Sequence, residues 1–233
     1  MERFGSQHVT NPIGLIFWHL FSFWQIDDAH LLVFGGLNKN KRYNDVWVFS
    51  WEEKAWTEVA VEGEAPEPRA HFTATRFGNC IFVFGGYGGC GVVYNDMWVL
   101  HVGETYRWEN ITEQIDGTGP PPRFDHSAFI YPIEPNSPTF DKLIIMGGRD
   151  LSQMLQDSHM LDLKPNEETG RMSWENNAQP PSLPYEICNN VCNGIESVPY
   201  HKVFSFGGKK GPMQYLNAVE VRRASWALKH EFE

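Results

Sequence analysis

Long basic runs, apolar stretches of membrane-spanning length and catalytic signatures are missing from these 233 residues. The formal charge is −10, from 19 Lys and Arg against 29 Asp and Glu. Such a surface does not gather nucleic acid or an anionic membrane by bulk electrostatics, so neither is expected as a partner. The apolar run from Ile13 to Trp24 has twelve residues, whereas a spanning helix needs about 20. It also fits poorly as a secretory signal, because Glu2 offsets Arg3 and Gln25-Ile26-Asp27-Asp28 follows where small residues belong. Cysteine is scarce: Cys80, Cys90, Cys188 and Cys192 include no C-x-x-C spacing. They read as small buried thiols in a reducing compartment, which makes the cytoplasm the expected location. No G-x-S-x-G, H-E-x-x-H, phosphate-binding loop or dinucleotide fingerprint occurs. Accordingly no catalytic residue, metal or cofactor is assigned. His126 is the best lone candidate for chemistry, and Arg123 and Asp125 beside it read as a structural polar network.

What the chain does contain is repetition. "LLVFGGLNKNKRYNDVWVFS" from Leu31 to Ser50 places two glycines after a run of strand formers, then a second strand carrying Asn-Asp-x-Trp. The pattern returns at Ile81 to Leu100, Leu143 to Leu163 and Val203 to Val221, with the first glycine of each pair at 35, 85, 147 and 207. A tryptophan follows each pair, Trp56, Trp108, Trp174 and Trp226, and the first three are expected to pack between blades. "PRAHFTA" (Pro68 to Ala74) precedes the second pair and "PRFDHSA" (Pro122 to Ala128) the third. Each period therefore holds four short strands, the first period opening with a degenerate strand from Ser22 to Ile26 and a turn at Asp27-Asp28.

These motifs resemble the kelch repeat, whose four strands carry an Arg-x-x-His-Ser-Ala start, a Gly-Gly strand, an Asn-Asp-x-Trp-like strand and a tryptophan. The resemblance implies an all-β, kelch-type β-propeller with four recognisable four-stranded blades, at about 22–60, 66–112, 120–176 and 182–226. Residues 1–21 form an atypical N-terminal segment and 227–233 a tail. Departures are visible: Phe72 stands at the histidine position of the second repeat and Cys188 at that of the fourth. His159 replaces the third-strand aromatic of repeat three, and Ala218 an aspartate of repeat four. Kelch propellers commonly have five to seven blades, and an open ring leaves strand edges unpaired. The four repeats are either a compact ring or, the favoured reading, part of a larger propeller completed by another segment or chain.

The resemblance also implies a noncatalytic adaptor or scaffold that binds a protein or peptide partner through propeller loops. Such domains occur beside ubiquitin-ligase modules, on actin-associated proteins, on phosphatases and on axonemal dynein heavy chains. The alternative is an enzyme or metal-dependent site in the central channel. In an antiparallel meander, second-to-third and fourth-to-first connections share one face. The expected binding residues there are Lys39, Lys41, Arg42, Tyr87, Arg149, Lys209 and Lys210, with Glu62, Glu64, Glu67 and Asp116 alongside. The opposite face carries the insertions of repeat three, Tyr131 to Asp141 and Lys164 to Arg171. Near the C-terminus, Arg222 to Ser225 reads "RRAS", a basophilic kinase pattern, but the favoured reading is structural, with Ser225 part of a strand of the last blade beside Trp226.

Overall fold

The structure is a computed structural model that describes residues 22–131, 142–175, 191–195, 202–206 and 219–223. Residues 1–21, Cys188, Lys209, Lys210, Ser225 and Trp226, and residues 132–141 of the third-repeat insertion, lie outside the described residues. Every described regular element but one is a strand. Blade one runs β1 (Ser22–Gln25), β2 (His30–Asn38), β3 (Lys41–Ser50) and β4 (Ala55–Glu58), paired in that order. A two-residue strand β5 (Val61–Glu62) follows, then blade two: β6 (Thr73–Phe77), β7 (Cys80–Gly89), β8 (Val92–His101) and β9 (Tyr106–Asn110). A 3₁₀ turn, Thr112–Gln114, leads to blade three, β10 (Ser127–Tyr131), β11 (Lys142–Met146), β12 (Ser158–Asp162) and β13 (Ser173–Trp174). Blade four shows β14 (Val191–Ile195), β15 (Lys202–Phe206) and β16 (Val219–Arg223). Among the described residues no helix is long and apolar enough to cross a membrane.

Alternation on the second and third strands sorts the core of the described residues into two sandwiches, because successive side chains on a strand leave opposite faces. Leu32, Phe34, Val46 and Val48 of blade one pack with Phe72, Ile81, Val83, Trp98, Leu100 and Trp108 of blade two. The other face of blade two supplies Phe82, Phe84, Met97 and Val99, which cluster with Leu143, Ile145, Leu161 and Trp174 of blade three. The fourth-strand tryptophans therefore fill the seams between blades: the Trp108 ring sits 4.7 Å from Phe34, and the Trp174 ring 6.3 Å from Phe84. First strands abut in order, β1 on β6, β6 on β10 and β10 on β14.

The turn at Asp27 is built as expected, with the Asp27 carboxylate accepting from the Ala29 N–H at 2.7 Å. The paired glycines answer two demands at once. Gly85 has φ +63°, and a Cβ there would lie 2.7 Å from the Arg123 carbonyl oxygen of the next blade. Only glycine meets both the left-handed backbone and that close approach.

Three expectations are corrected, and a fourth segment follows its structural reading. Trp56 is half-buried, unlike Trp108 and Trp174, because no described blade covers its side of blade one. Cys90 is exposed, at a turn position with φ 49°, and Cys80 is half-buried. Val191 pairs with Phe206 as Ser127 pairs with Met146, so the histidine position of repeat four falls at residue 190, two beyond Cys188. Arg222 and Arg223 are paired residues of β16, so half of the kinase-like "RRAS" pattern is built into a sheet.

Candidate partner-binding face

The face is anchored by two arginines that the repeat places identically. Arg69 and Arg123 have no exposed surface. The Arg69 N–H donates to the Tyr43 carbonyl of blade one, and its own carbonyl accepts from Gly36 at 3.1 Å. Its guanidinium then enters blade two, donating to both Asp96 carboxylate oxygens at 2.6 and 2.8 Å and to the Gly85 carbonyl. Arg123 repeats this one blade on, with backbone bonds to Tyr94 and Gly86 and side-chain bonds to Asp157 and the Gly147 carbonyl. Each arginine staples a blade to its predecessor, and a planar, bidentate guanidinium suits that task. Arg123 therefore pairs with Asp157 rather than with its sequence neighbour Asp125. Asp157 has a carboxyl that burial would raise, but its bonds to His159 and Arg123 hold it far below the ordinary carboxylate range. His159 Nε2 lies 2.9 Å from Asp157, the place taken in blade two by the Trp98 indole N–H on Asp96. The substitution in repeat three thus keeps a ring nitrogen on the aspartate.

Above these staples a stack of cations and rings crosses three blades. The Arg42 guanidinium lies 4.8 Å from the Tyr87 ring centre, and its Nε donates to the Tyr87 carbonyl at 3.1 Å. Tyr87 stacks on Phe124 at 5.2 Å and 27°. The Arg149 guanidinium closes the series 4.4 Å from the Phe124 ring centre. Gly89 lets Arg42 lie flat, since a Cβ there would come within 2.6 Å of the guanidinium. Such cation–ring contacts contribute about 0.5–1 kcal/mol each at exposed sites, so the stack fixes the orientation of its arginines more than it holds the fold. Arg149 Nε donates to Asp125 at 2.8 Å, and His71 Nδ1 lies 2.6 Å from the same carboxylate. Burial works against the charge on Asp125, yet His71 and Arg149 outweigh it and keep its carboxyl below the ordinary range.

Three of the residues expected from sequence, Arg42, Tyr87 and Arg149, thus belong to one continuous surface feature. Lys39 and Lys41 stand exposed at the adjoining β2–β3 turn, with the Lys41 ammonium 4.8 Å from the Tyr43 ring centre. Lys209 and Lys210 lie outside the described residues. Phe124 and Asp125 were not expected, although their signal is present: both follow the stapling arginine directly. Glu62 and Asp116 are placed differently from expectation. Glu62 belongs to β5, which runs parallel to β9 along the outer edge of blade two, and Asp116 bridges Ser173 in the same way on blade three.

His126 does not suit acid–base chemistry. It is buried, its Nε2 sits 2.7 Å from the Thr73 hydroxyl, and burial with the nearby Arg123 charge depresses its pKa to about 3. The neutral ring is the folded form, whereas an unfolded chain takes up the proton near pH 6.5. Stability from this site is therefore full above about pH 6.5 and is lost as pH falls toward 3, with a slope of at most about 1.4 kcal/mol per pH unit. His126→Phe, which copies Phe72 of repeat two, is expected to flatten the dependence of unfolding free energy on pH between about 6 and 4. Denaturant titrations across that range read the difference in slope.

The sequence comparisons follow the same repeats. A profile for the KLHDC2/KLHL20/DRC7 Kelch-repeats domain matches residues 18–208. The chain belongs to the kelch-repeat family. Over 197 residues it is 74% identical to the flagellar outer-arm dynein alpha chain of Chlamydomonas reinhardtii, a match covering 84% of this chain and 4% of that one. It is 27% identical over 194 residues to the leucine-zipper-like transcriptional regulator 1 homolog of Drosophila melanogaster, covering 81% of this chain and 18% of the relative. It is also 28% identical over 152 residues to the serine/threonine-protein phosphatase BSL2 of Arabidopsis thaliana, covering 65% and 14%. The kelch chain thus spans less than a fifth of each of these relatives. Its four sheets are blades of a kelch-type propeller.

Proposed function

We propose that this chain is a noncatalytic interaction module. It holds an acidic or mixed-charge protein segment on the face that carries Lys39, Lys41, Arg42, Tyr87 and Arg149, with Lys209 and Lys210 joining by repeat equivalence. The observation that carries this reading is the stack from Arg42 to Arg149, which orients two guanidiniums across three blades without burying them. Loops on a rigid repeat scaffold are where recognition residues concentrate. Identity of 74% to an outer-arm dynein chain supports a place in a large cytoskeletal assembly of that kind, in the cytoplasm or axoneme.

The partner is expected to come from the same assembly. Immobilised chain incubated with axonemal extract should retain a protein in near-stoichiometric amount at physiological salt. Raising salt to about 1 M, where the Debye length is about 3 Å, should release most of it. Retention unchanged at that salt would mean that the contact does not depend on these charges.

A further inference from the structure

Among the described residues three large apolar side chains are exposed, Trp51, Val92 and Leu151. Two of them adjoin on the candidate face. Val92 opens β8 at the tip of the β7–β8 hairpin of blade two, and Leu151 lies in the β11–β12 turn of blade three, 46% and 63% exposed. A Cβ at Gly91, the residue before Val92, would lie 4.0 Å from Leu151 Cδ1 and, chain neighbours aside, would meet no other heavy atom within that distance. The leucine therefore overhangs the hairpin tip, and the glycine leaves the space beside it open.

Apolar side chains scattered singly are ordinary on a protein surface, but these two are contiguous and firmly presented. In the blade-three turn, Asp150 Oδ1 accepts from the Ser152 N–H at 2.6 Å, the Ser152 hydroxyl at 2.7 Å and the Gln153 N–H at 2.8 Å. The Leu155 N–H donates to the Gly148 carbonyl at 2.8 Å, and Arg149 bridges Met154. None of these bonds uses the Leu151 side chain. On the blade-two side, Gly89, Cys90 and Gly91 turn the hairpin with φ of 95°, 49° and 85°, and the Gly91 N–H donates to the Tyr87 hydroxyl at 3.3 Å. Tyr87 and Arg149 also belong to the stack of cations and rings, so the apolar shelf borders it directly. The carboxylates beside the shelf are already engaged. Asp150 serves its own turn, and Asp125, with a side chain 1% exposed, is held by His71 and Arg149.

We propose that Val92, Leu151 and the open space over Gly91 form an apolar subsite of the partner-binding face. Its occupant is a bulky apolar side chain of the partner segment, whose carboxylates face Arg42 and Arg149. This rests on the reading of that face as the binding face, and it adds a requirement that charge alone does not impose. Complementary charge contributes chiefly to encounter and register, whereas desolvated apolar anchors carry much of the affinity of an interface. Arg149 and Leu151 stand two residues apart, so the apolar residue is expected within about three positions of an acidic one, at about 3.3 Å per residue of extended chain.

The test pans a phage-displayed library of short random peptides against the unaltered whole chain and against Leu151→Ser. The unaltered chain is expected to enrich peptides with a bulky apolar residue close to an acidic one, and Leu151→Ser to enrich acidic peptides without that preference. A peptide selected on the unaltered chain should bind Leu151→Ser at least about tenfold more weakly and Leu151→Met about equally, since leucine and methionine fill similar volumes. Acidic peptides with no apolar preference, or the same peptides from both chains, overturn the subsite and leave the cationic face standing. Failure to enrich acidic peptides at all removes the face itself, and the subsite with it. Self-association of the unaltered chain that Leu151→Ser abolishes also overturns the proposal, because the shelf is then an interface between copies.

Discussion

Arg69→Met is expected to destabilise the chain by about 3 to 5 kcal/mol, the usual cost of removing one partner from a buried charge pair. The substitution nearly preserves volume, so the loss is electrostatic rather than a cavity. It strips the two bonds to Asp96 and the bond to the Gly85 carbonyl. It also removes the cation from the Tyr94 ring, whose centre lies 4.1 Å away. The Asp96 side chain is 22% exposed, so water reaches it only in part, and the Trp98 indole N–H is the charge's remaining partner. Arg69→Lys should recover little, because an ammonium cannot bond both carboxylate oxygens and the carbonyl in one plane. Arg69→Met with Asp96→Asn should be milder than Arg69→Met alone, since the second change removes the stranded charge. Denaturant unfolding of the four chains measures this, and a loss below about 1 kcal/mol for Arg69→Met would mean that Arg69 does not staple blade one to blade two.

Trp108→Ala is expected to cost a similar 3 to 5 kcal/mol, for a different reason. Trp108 is 3% exposed, lies 4.7 Å from Phe34 of blade one and 6.4 Å from Trp98 of its own blade, and fills the seam between the two sheets. Its indole N–H has no partner among the described residues, so its contribution is apolar packing. The cavity would open between blades rather than within one sheet, where relaxation requires a whole blade to shift. Trp56→Ala serves as the internal control, because the same repeat position on the open side of blade one is half-buried. Its loss should be clearly smaller, and equal losses in the two variants would contradict the open face of blade one.

Much of this was legible in the sequence because the repeat's strongest constraints act on single residues. A left-handed backbone against a neighbouring carbonyl selects glycine at position 85, and a seam between sheets selects tryptophan at 108 and 174. The residue type therefore reveals the place. The candidate face was legible only in part, since loop topology grouped Arg42, Tyr87 and Arg149 but could not show that Phe124 joins them. Those contacts run between blades, from side chains as far apart as positions 42 and 87, and no local periodicity records them. The parallel covering strand β5 escaped because two residues are too few to show alternation. The phase of repeat four slipped by two residues because neither an arginine staple nor a histidine anchors its first strand. His159 looked like a lost aromatic, but the shared demand was a ring nitrogen on an aspartate, which histidine also meets.

The central claim is that the Arg42 to Arg149 face, rather than the opposite face, holds the partner. Equilibrium affinity for the protein retained from axonemal extract decides it, compared among the unaltered chain, Lys39→Glu with Arg42→Glu, and Glu167→Lys on the opposite face. The first variant should bind at least about tenfold more weakly, about 1.4 kcal/mol, with a melting temperature lowered only modestly, since Lys39 is exposed and half-buried Arg42 loses one cation–ring contact and one hydrogen bond. Glu167→Lys should bind as the unaltered chain does. Undiminished affinity in the Lys39 and Arg42 variant, together with a loss in Glu167→Lys, would contradict the claim and move the binding site to the insertion-bearing face.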